Sequence, residues 1–360
     1  MTLIVGYIYN DNVNIIADSA VTLLNPPQSD KITNESYNSF GEIIQLNDEK
    51  LITESAQKIY VYDNRIVLTY SGNVYEGSQV LEDIKYELSI FKEKKIFDIL
   101  NDYFEKRKPI STEYIIAYCE NKIPIIYIYK EKGEVLTNNH SFVLLGSGSN
   151  EPLLLEPIKI ILKQFEGTNL NANIVLIALI SAIQCFSLNA MTFSKGVGGF
   201  FNGVYSNKDG VNWINDTCTI LYSSNFFEKG ELFIINKFNR DCVTFITSPK
   251  IGKSLYFPAL IWTYYNPTEW KDKWLDKLIE LNSNCELDFN SFICYDRRIV
   301  TFLNRSKDQY KNYMRFKKIS DTQMGFDLHS SLMDKLLSFP INPQTGKEDI
   351  DGFGIQLNYL

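Results

Sequence analysis

The sequence predicts an α+β protein folded as a four-layer αββα sandwich. Two stacked antiparallel sheets carry a helix pair on each outer face, and an additional C-terminal region follows. Two observations predict this. The elements run strands, two helices, strands, two helices, strands, and helices grouped in pairs do not match the strand-helix alternation of a wound parallel sheet. The chain also opens with two apolar strand-like runs joined by a short polar turn, so antiparallel pairing starts at the first residues.

Leu3–Tyr9 and Val13–Ser19 read as the opening strands, with Asn10-Asp11-Asn12 turning between them. Residues 23–57 break the pattern with Asn25-Pro26-Pro27-Gln28-Ser29-Asp30 and then many Asn, Ser and Glu. They read as an insertion, with a short strand near Glu42–Leu46. Order returns at Lys58-Ile59-Tyr60-Val61-Tyr62, and Ile66–Ser71 is a strand. From Tyr75 to about Phe91, the residues Val80, Leu81, Ile84, Leu88 and Phe91 recur at helical spacing. A second helix over about 94–106 groups Ile96, Phe97, Leu100, Tyr103 and Phe104, and Pro109 stops it. Tyr114–Cys119 and Ile125–Tyr129 form a hairpin, and Phe142–Leu145 leads into Gly146-Ser147-Gly148-Ser149. Helices follow over about 151–165 and 173–188, the second apolar nearly all round and therefore buried. Strands are expected near 200–206, 217–223, 231–238 and 241–248. Beyond about 250 the pattern changes. Trp262, Trp270 and Trp274 surround a helix at Thr268–Leu281, strands lie at Phe289–Tyr295 and Ile299–Leu303, and a helix covers Asp327–Leu337. The division is read as one domain over 1–249 and a C-terminal extension or small second domain over 250–360, with the boundary near Pro249–Ser254.

The chain has 360 residues, 45% hydrophobic and 22% charged, an ordinary globular composition with enough apolar residues for a substantial core. A net charge of −7 argues against general nucleic-acid affinity, and the basic cluster Lys311, Arg315, Lys317, Lys318 reads as a solvated face. The six cysteines form no Cys-x-x-Cys pair, and four of them sit in strand-like or apolar runs, as buried thiols of a reducing cytosol would. The only two histidines, His140 and His329, have no ligand-like neighbours, so no metal and no cofactor is expected. Met-Thr-Leu-Ile-Val-Gly is not a signal peptide. The apolar run Ile174–Ile183 is too short to span a bilayer. A cytoplasmic protein without membrane or nucleic-acid partners is expected.

The chemistry-bearing feature is Thr2 directly after Met1, with Asp18 further on in Ile15-Ile16-Ala17-Asp18-Ser19. A small second residue lets a methionine aminopeptidase remove Met1. Residue 2 then carries a hydroxyl nucleophile and an α-amine, whose ordinary pKa of about 8 lets it accept the hydroxyl proton near neutrality.

Thr2-Leu3-Ile4-Val5-Gly6, the hairpin and Ala17-Asp18-Ser19 resemble the start of a mature proteasome β subunit and of its bacterial relatives, the N-terminal nucleophile hydrolases. Lys58 opening a strand, Ser71-Gly72-Asn73 at the entry to the first helix, the Lys58-to-Gly72 spacing, and Gly146-Ser147-Gly148-Ser149 between strand and helix continue the resemblance, which covers roughly residues 2–245. It implies the αββα fold already read from the element order. It also implies roles. Thr2 attacks a carbonyl and its amine relays the proton. Lys58 is a buried cation paired by Asp18. Gly72 donates its N–H to the oxyanion, and Ser147 orients the amine. It further implies a peptide or amide substrate and self-association, in some relatives as rings; whether an unfoldase feeds the chain stays open.

Other readings of these residues stay open at this point. Lys31 and Lys50 compete with Lys58 because the insertion disturbs the count. Asp18 and Gly72 are also ordinary strand-end and turn residues, and Ser147 an ordinary helix-approach residue. Ser149 is an alternative as a helix cap. The family pattern places an acid, then Ser or Thr, then Gly after the fourth helix; here Ala190-Met191-Thr192-Phe193-Ser194-Lys195-Gly196-Val197-Gly198-Gly199 contains no acid, and Ser194 stands near its place. Three functions therefore compete: a threonine amidohydrolase or peptidase, a catalytically silent subunit with an assembly or partner-binding role, and an unrelated hydrolase using Ser147, which lacks the full Gly-x-Ser-x-Gly elbow.

Overall fold

A computed structural model of the chain describes residues 2–24, 50–54, 57–107, 111–130, 132–215, 217–223 and 289–304, and the strands at 232–238, 243–247, 260–263, 314–320, 323–328 and 356–359. The chain divides into two compact units, Met1–Ile214 and Asn215–Leu360.

The first unit runs β1 (Ile4–Tyr9), β2 (Asn12–Asp18), β3 (Ala20–Leu24), β4 (Lys50–Glu54), β5 (Ile59–Tyr62), β6 (Ile66–Ser71), α1 (Val74–Ile90), α2 (Ile96–Glu105), β7 (Glu113–Glu120), β8 (Ile123–Tyr129), β9 (Gly133–Leu136), β10 (Phe142–Leu145), α3 (Pro152–Phe165), α4 (Ala172–Asn189), β11 (Phe201–Asn207) and β12 (Gly210–Trp213). One antiparallel sheet has the order β10-β1-β2-β11-β12 and the other β5-β6-β7-β8-β9. The β1–β2 hairpin pairs Tyr9 with Asn12 across a tight turn at Asn10, whose φ of 52° suits an Asn.

The layering follows from period-two alternation along the strands. On β7, Ile115 and Ala117 join Ile4, Ile8, Val13, Ile15, Val67 and Ile126 in an apolar layer between the two sheets. Tyr114, Ile116 and Tyr118 point the other way, into Leu81, Ile84, Leu100 and Phe104 of α1 and α2. On the far face of the first sheet α4 packs across β2 and β11, with α3 beside it. Its close seat is at Gly203, where a Cβ would come 2.8 Å from Ile180 Cδ1. Four layers result, as the element order predicts.

Element boundaries differ in places. The buried face of α2 is Ile99, Leu100 and Phe104, while Phe97 stays 37% exposed. Helix α4 is longer than the apolar run Ile174–Ile183. At 18 residues and a mean hydropathy of 1.8 it has the length and composition of a membrane-crossing helix, yet 78% of it is buried within the protein, as in a core helix. Strands β3, β4, β9 and β12 were not expected from the sequence; all are short, and β9 is largely exposed. The strand expected at Glu42–Leu46 and the helix stop at Pro109 lie outside the described residues.

The second unit contains β13 (Thr217–Tyr222), β14 (Leu232–Phe238), β15 (Val243–Thr247), β16 (Leu260–Thr263), β17 (Phe289–Cys294), β18 (Ile299–Asn304), β19 (Met314–Ser320), β20 (Gln323–Leu328) and β21 (Gln356–Tyr359). Its sheet has the order β16-β15-β14-β13-β17-β18-β21, with β13–β17 and β18–β21 parallel, and β19–β20 is a separate hairpin. The strands from 217 to 247 thus pair within this unit. Asp327 and Leu328, expected to start a helix, end β20; the rest of that segment and Thr268–Leu281 lie outside the described residues. Cys185, Cys218 and Cys294 are buried and Cys119 is half-buried.

Burial pushes the phenols of Tyr7, Tyr60, Tyr114 and Tyr118 above the usual tyrosine range and that of Tyr127 up to about 12. A raised folded value means that the unfolded chain releases these protons first. Their contribution is therefore intact below pH ~10 and is lost as pH climbs toward the folded values. Alkaline unfolding is expected to begin near pH ~10, with ionisation of these five phenols and loss of circular dichroism rising together. Their ionisation well before unfolding would contradict this.

Candidate active site

Asp18 closes β2, and its backbone N–H donates to the Leu3 carbonyl at 3.2 Å. Its side chain is fully buried. Oδ1 accepts the Leu3 N–H at 3.0 Å and the Lys58 ammonium at 2.6 Å, and Oδ2 accepts the Gly198 N–H at 2.9 Å. A carboxylate so bonded ties together the chain start, the entry to β5 and the loop before β11.

Lys58 is 7% exposed. Nζ donates to Asp18 and, at 2.5 Å, to the Ala20 carbonyl. Burial pushes the ammonium below the usual lysine range, against the opposing charge and hydrogen bond of Asp18. Of the three candidate lysines, Lys58 meets the aspartate; Lys50 is exposed on β4 and Lys31 lies outside the described residues.

Thr2 is 7% exposed. Its carbonyl accepts the Gly148 N–H at 3.0 Å, and its nitrogen donates to Ser147 Oγ at 3.3 Å. With Met1 attached this nitrogen is a peptide N–H; after Met1 is removed it is the α-amine. Gly146, at φ +85°, makes the approach possible: a Cβ there would sit 2.2 Å from the Thr2 carbonyl oxygen. Ser149 does not cap α3. Its hydroxyl donates to the Gly146 carbonyl at 2.6 Å and tightens the turn that presents Ser147.

Gly72 follows β6 at φ +133°, a conformation that favours glycine. Asn73, the next residue, caps α1 by accepting the Glu76 N–H at 3.1 Å. Thr2, Lys58, Gly72 and Ser147 line one cavity of about 230 Å³, together with the 20–22 segment and Tyr70. Asp18 is bonded to Lys58 at its wall. The structure therefore brings all five sequence candidates together. A hydroxyl, a nitrogen, a buried amine–carboxylate pair and a glycine turn around one cavity suit nucleophilic attack on a carbonyl with proton relay.

Ser194 is not part of this group. It is exposed, and its hydroxyl donates to the Met191 carbonyl at 2.9 Å. The buried hydroxyl of that stretch is Thr192, bonded to Ser187 Oγ at 2.7 Å and to the Val197 carbonyl at 2.9 Å. Sequence reasoning missed Gly198 and Gly146 as functional positions; the glycine run 196–199 and the Gly-Ser-Gly segment were the available signals. His140 bonds the Tyr7 hydroxyl at 2.9 Å through Nδ1, near the end of β1 remote from Thr2. Among the described residues no group of three His, Cys, Asp or Glu side chains is placed to hold a metal.

No protein-family model matches the chain, and no curated protein matches it. Among solved structures it is similar to that of eukaryotic HslV from Trypanosoma brucei, with 12% identity and a TM-score of 0.38 over 57% of this chain and 99% of that one. The fold is established by the sheets and helices described above.

Proposed function

We propose that the protein is a threonine-type N-terminal nucleophile hydrolase that cleaves amide or peptide bonds once Met1 is removed. The observation that carries the reading is the buried Lys58–Asp18 pair beside a cavity in which residue 2 is held by Ser147 and Gly148.

In this reading Thr2 Oγ attacks the substrate carbonyl carbon and forms a C–O bond. The hydroxyl proton passes to the Thr2 amine, directly or through water, and then to the leaving nitrogen as the C–N bond breaks. Water hydrolyses the resulting ester by the same relay in reverse, and Thr2 is regenerated. The Gly72 N–H stabilises the oxyanion, an interaction typically worth about 3 kcal/mol in the transition state. Lys58 supplies positive charge beside the nucleophile.

One observation favours the silent alternative: the segment over 190–199 has no carboxylate, and Ser194 faces solvent. Intact mass spectrometry before and after a threonine-directed β-lactone or epoxyketone separates the two readings. The expected result is a chain lacking Met1 that gains one adduct at Thr2. Met1 retained in folded protein would rule out the hydrolase. Met1 removal without an adduct would favour the silent subunit.

A further inference from the structure

Two adjacent residues at the entrance to β7 reach the two turns that wall the cavity. Thr112 is completely buried. Its Oγ1 accepts the Asn73 N–H at 3.2 Å and donates to Glu76 Oε2 at 2.7 Å. The Ser111 hydroxyl donates to the same carboxylate oxygen at 3.1 Å. Glu76 thus takes the Thr112 proton and leaves a lone pair for Asn73. The turn lies hard against this residue, since a Cβ on Gly72 would come 3.0 Å from Thr112 Cα. Glu113, the next residue, is paired in register with Ser71. Its Oε2 accepts the Gly146 N–H at 3.3 Å, and its Oε1 lies 4.0 Å from Lys130 Nζ. Successive side chains of an extended strand diverge, which is how neighbours reach different turns.

We propose that Thr112 and Glu113 are positioning residues for the hydrolytic site, an inference that rests on the hydrolase reading above. Thr112 fixes the Gly72–Asn73 turn, and with it the oxyanion donor. Glu113 fixes the Gly146–Ser147 turn against the Thr2 amine. Neither touches the reacting atoms; each acts through a backbone N–H. Residues 190–199 bring no carboxylate to the Ser147 turn, whereas Glu113 at the start of β7 does.

The test uses the full chain with Met1 removed. Thr112→Val and Glu113→Ala are each expected to lower kcat about tenfold, the worth of a hydrogen bond to an aligned group, with KM nearly unchanged. Thr112→Ser keeps the hydroxyl and Glu113→Gln keeps an acceptor, so both should recover most of the loss. Thr112→Ala replaces Thr112→Val if the latter does not fold. Two readouts do not depend on turnover. The Thr2 amine, followed by its rate of reductive methylation, should react faster in Glu113→Ala, where the turn that holds it is released. The Asn73 amide should exchange faster in Thr112→Val. Wild-type kcat in folded variants, a change confined to KM, or an unmoved amine reactivity overturns the proposal. A wild type with neither activity nor adduct sinks the hydrolase reading instead, and the amine and amide measurements then still decide whether the brace exists.

Discussion

Thr2→Ala is expected to abolish amide cleavage and leave the fold in place. Two backbone contacts hold residue 2: the carbonyl receives the Gly148 N–H and the nitrogen donates to Ser147 Oγ. An alanine keeps both and loses the attacking oxygen together with the γ-methyl. Removing a nucleophile that forms the covalent intermediate costs on the order of 10³-fold or more in kcat, because a water must then reach the carbonyl without it. Thr2→Ser keeps a hydroxyl on the same amine-bearing residue and should retain measurable turnover. Hydrolysis of a fluorogenic peptide amide, with thermal midpoints as the control, checks both. If Thr2→Ala turned over like the wild type, the nucleophile would lie elsewhere, and an adduct at Ser147 would then point to the unrelated-hydrolase alternative.

Asp18→Ala is expected to cost about 3–5 kcal/mol of stability, the range for breaking a buried ion pair by deleting one partner. The Lys58 ammonium would keep the Ala20 carbonyl but lose its counter-charge, while the Leu3 and Gly198 N–H groups would lose their acceptor. Burial already disfavours the charged lysine, so its proton would leave more readily and the cavity would lose its positive charge. Activity should fall with stability. The double variant Asp18→Leu with Lys58→Met tests the cause. It removes both charges, so stability should recover substantially while activity stays lost. Urea unfolding of the single and double variants reads the difference. A single variant less than 1 kcal/mol weaker than wild type would mean that the pair behaves as a solvated one.

Much of the first unit was legible because its signals are local. Strand β6 and strand β10 occupy the expected residues, and α1, α3 and α4 lie within a few residues of expectation, since each is marked by a helical repeat of apolar residues or by a continuous apolar run. Thr2, Asp18 and Gly72 were legible from their places at a chain start, a strand end and a strand-to-helix turn. Lys58 was ambiguous because residues 23–57 upset the spacing; among the described residues it is Lys58 that is buried against Asp18. What the sequence could not show is non-local. The Gly198 N–H reaches Asp18 across the chain, Glu113 reaches Gly146, and β13 pairs in parallel with β17, a partner far along the sequence. Pairings of that kind depend on topology and leave no periodic trace.

The β3–β4 ribbon has a consequence for how the chain can vary. Leu24 and Lys50 are register partners, so the polypeptide between them departs and rejoins at a single doorway. Closing a loop whose ends already meet depends only weakly on its length, so neither sheet dictates how many residues the excursion holds. Its stem begins two residues beyond Asp18 and includes Val21 and Thr22, which line the cavity. Changes in the number of residues between Leu24 and Lys50 are therefore expected to leave the β3–β4 pairing, and the stem residues at the cavity wall, in place.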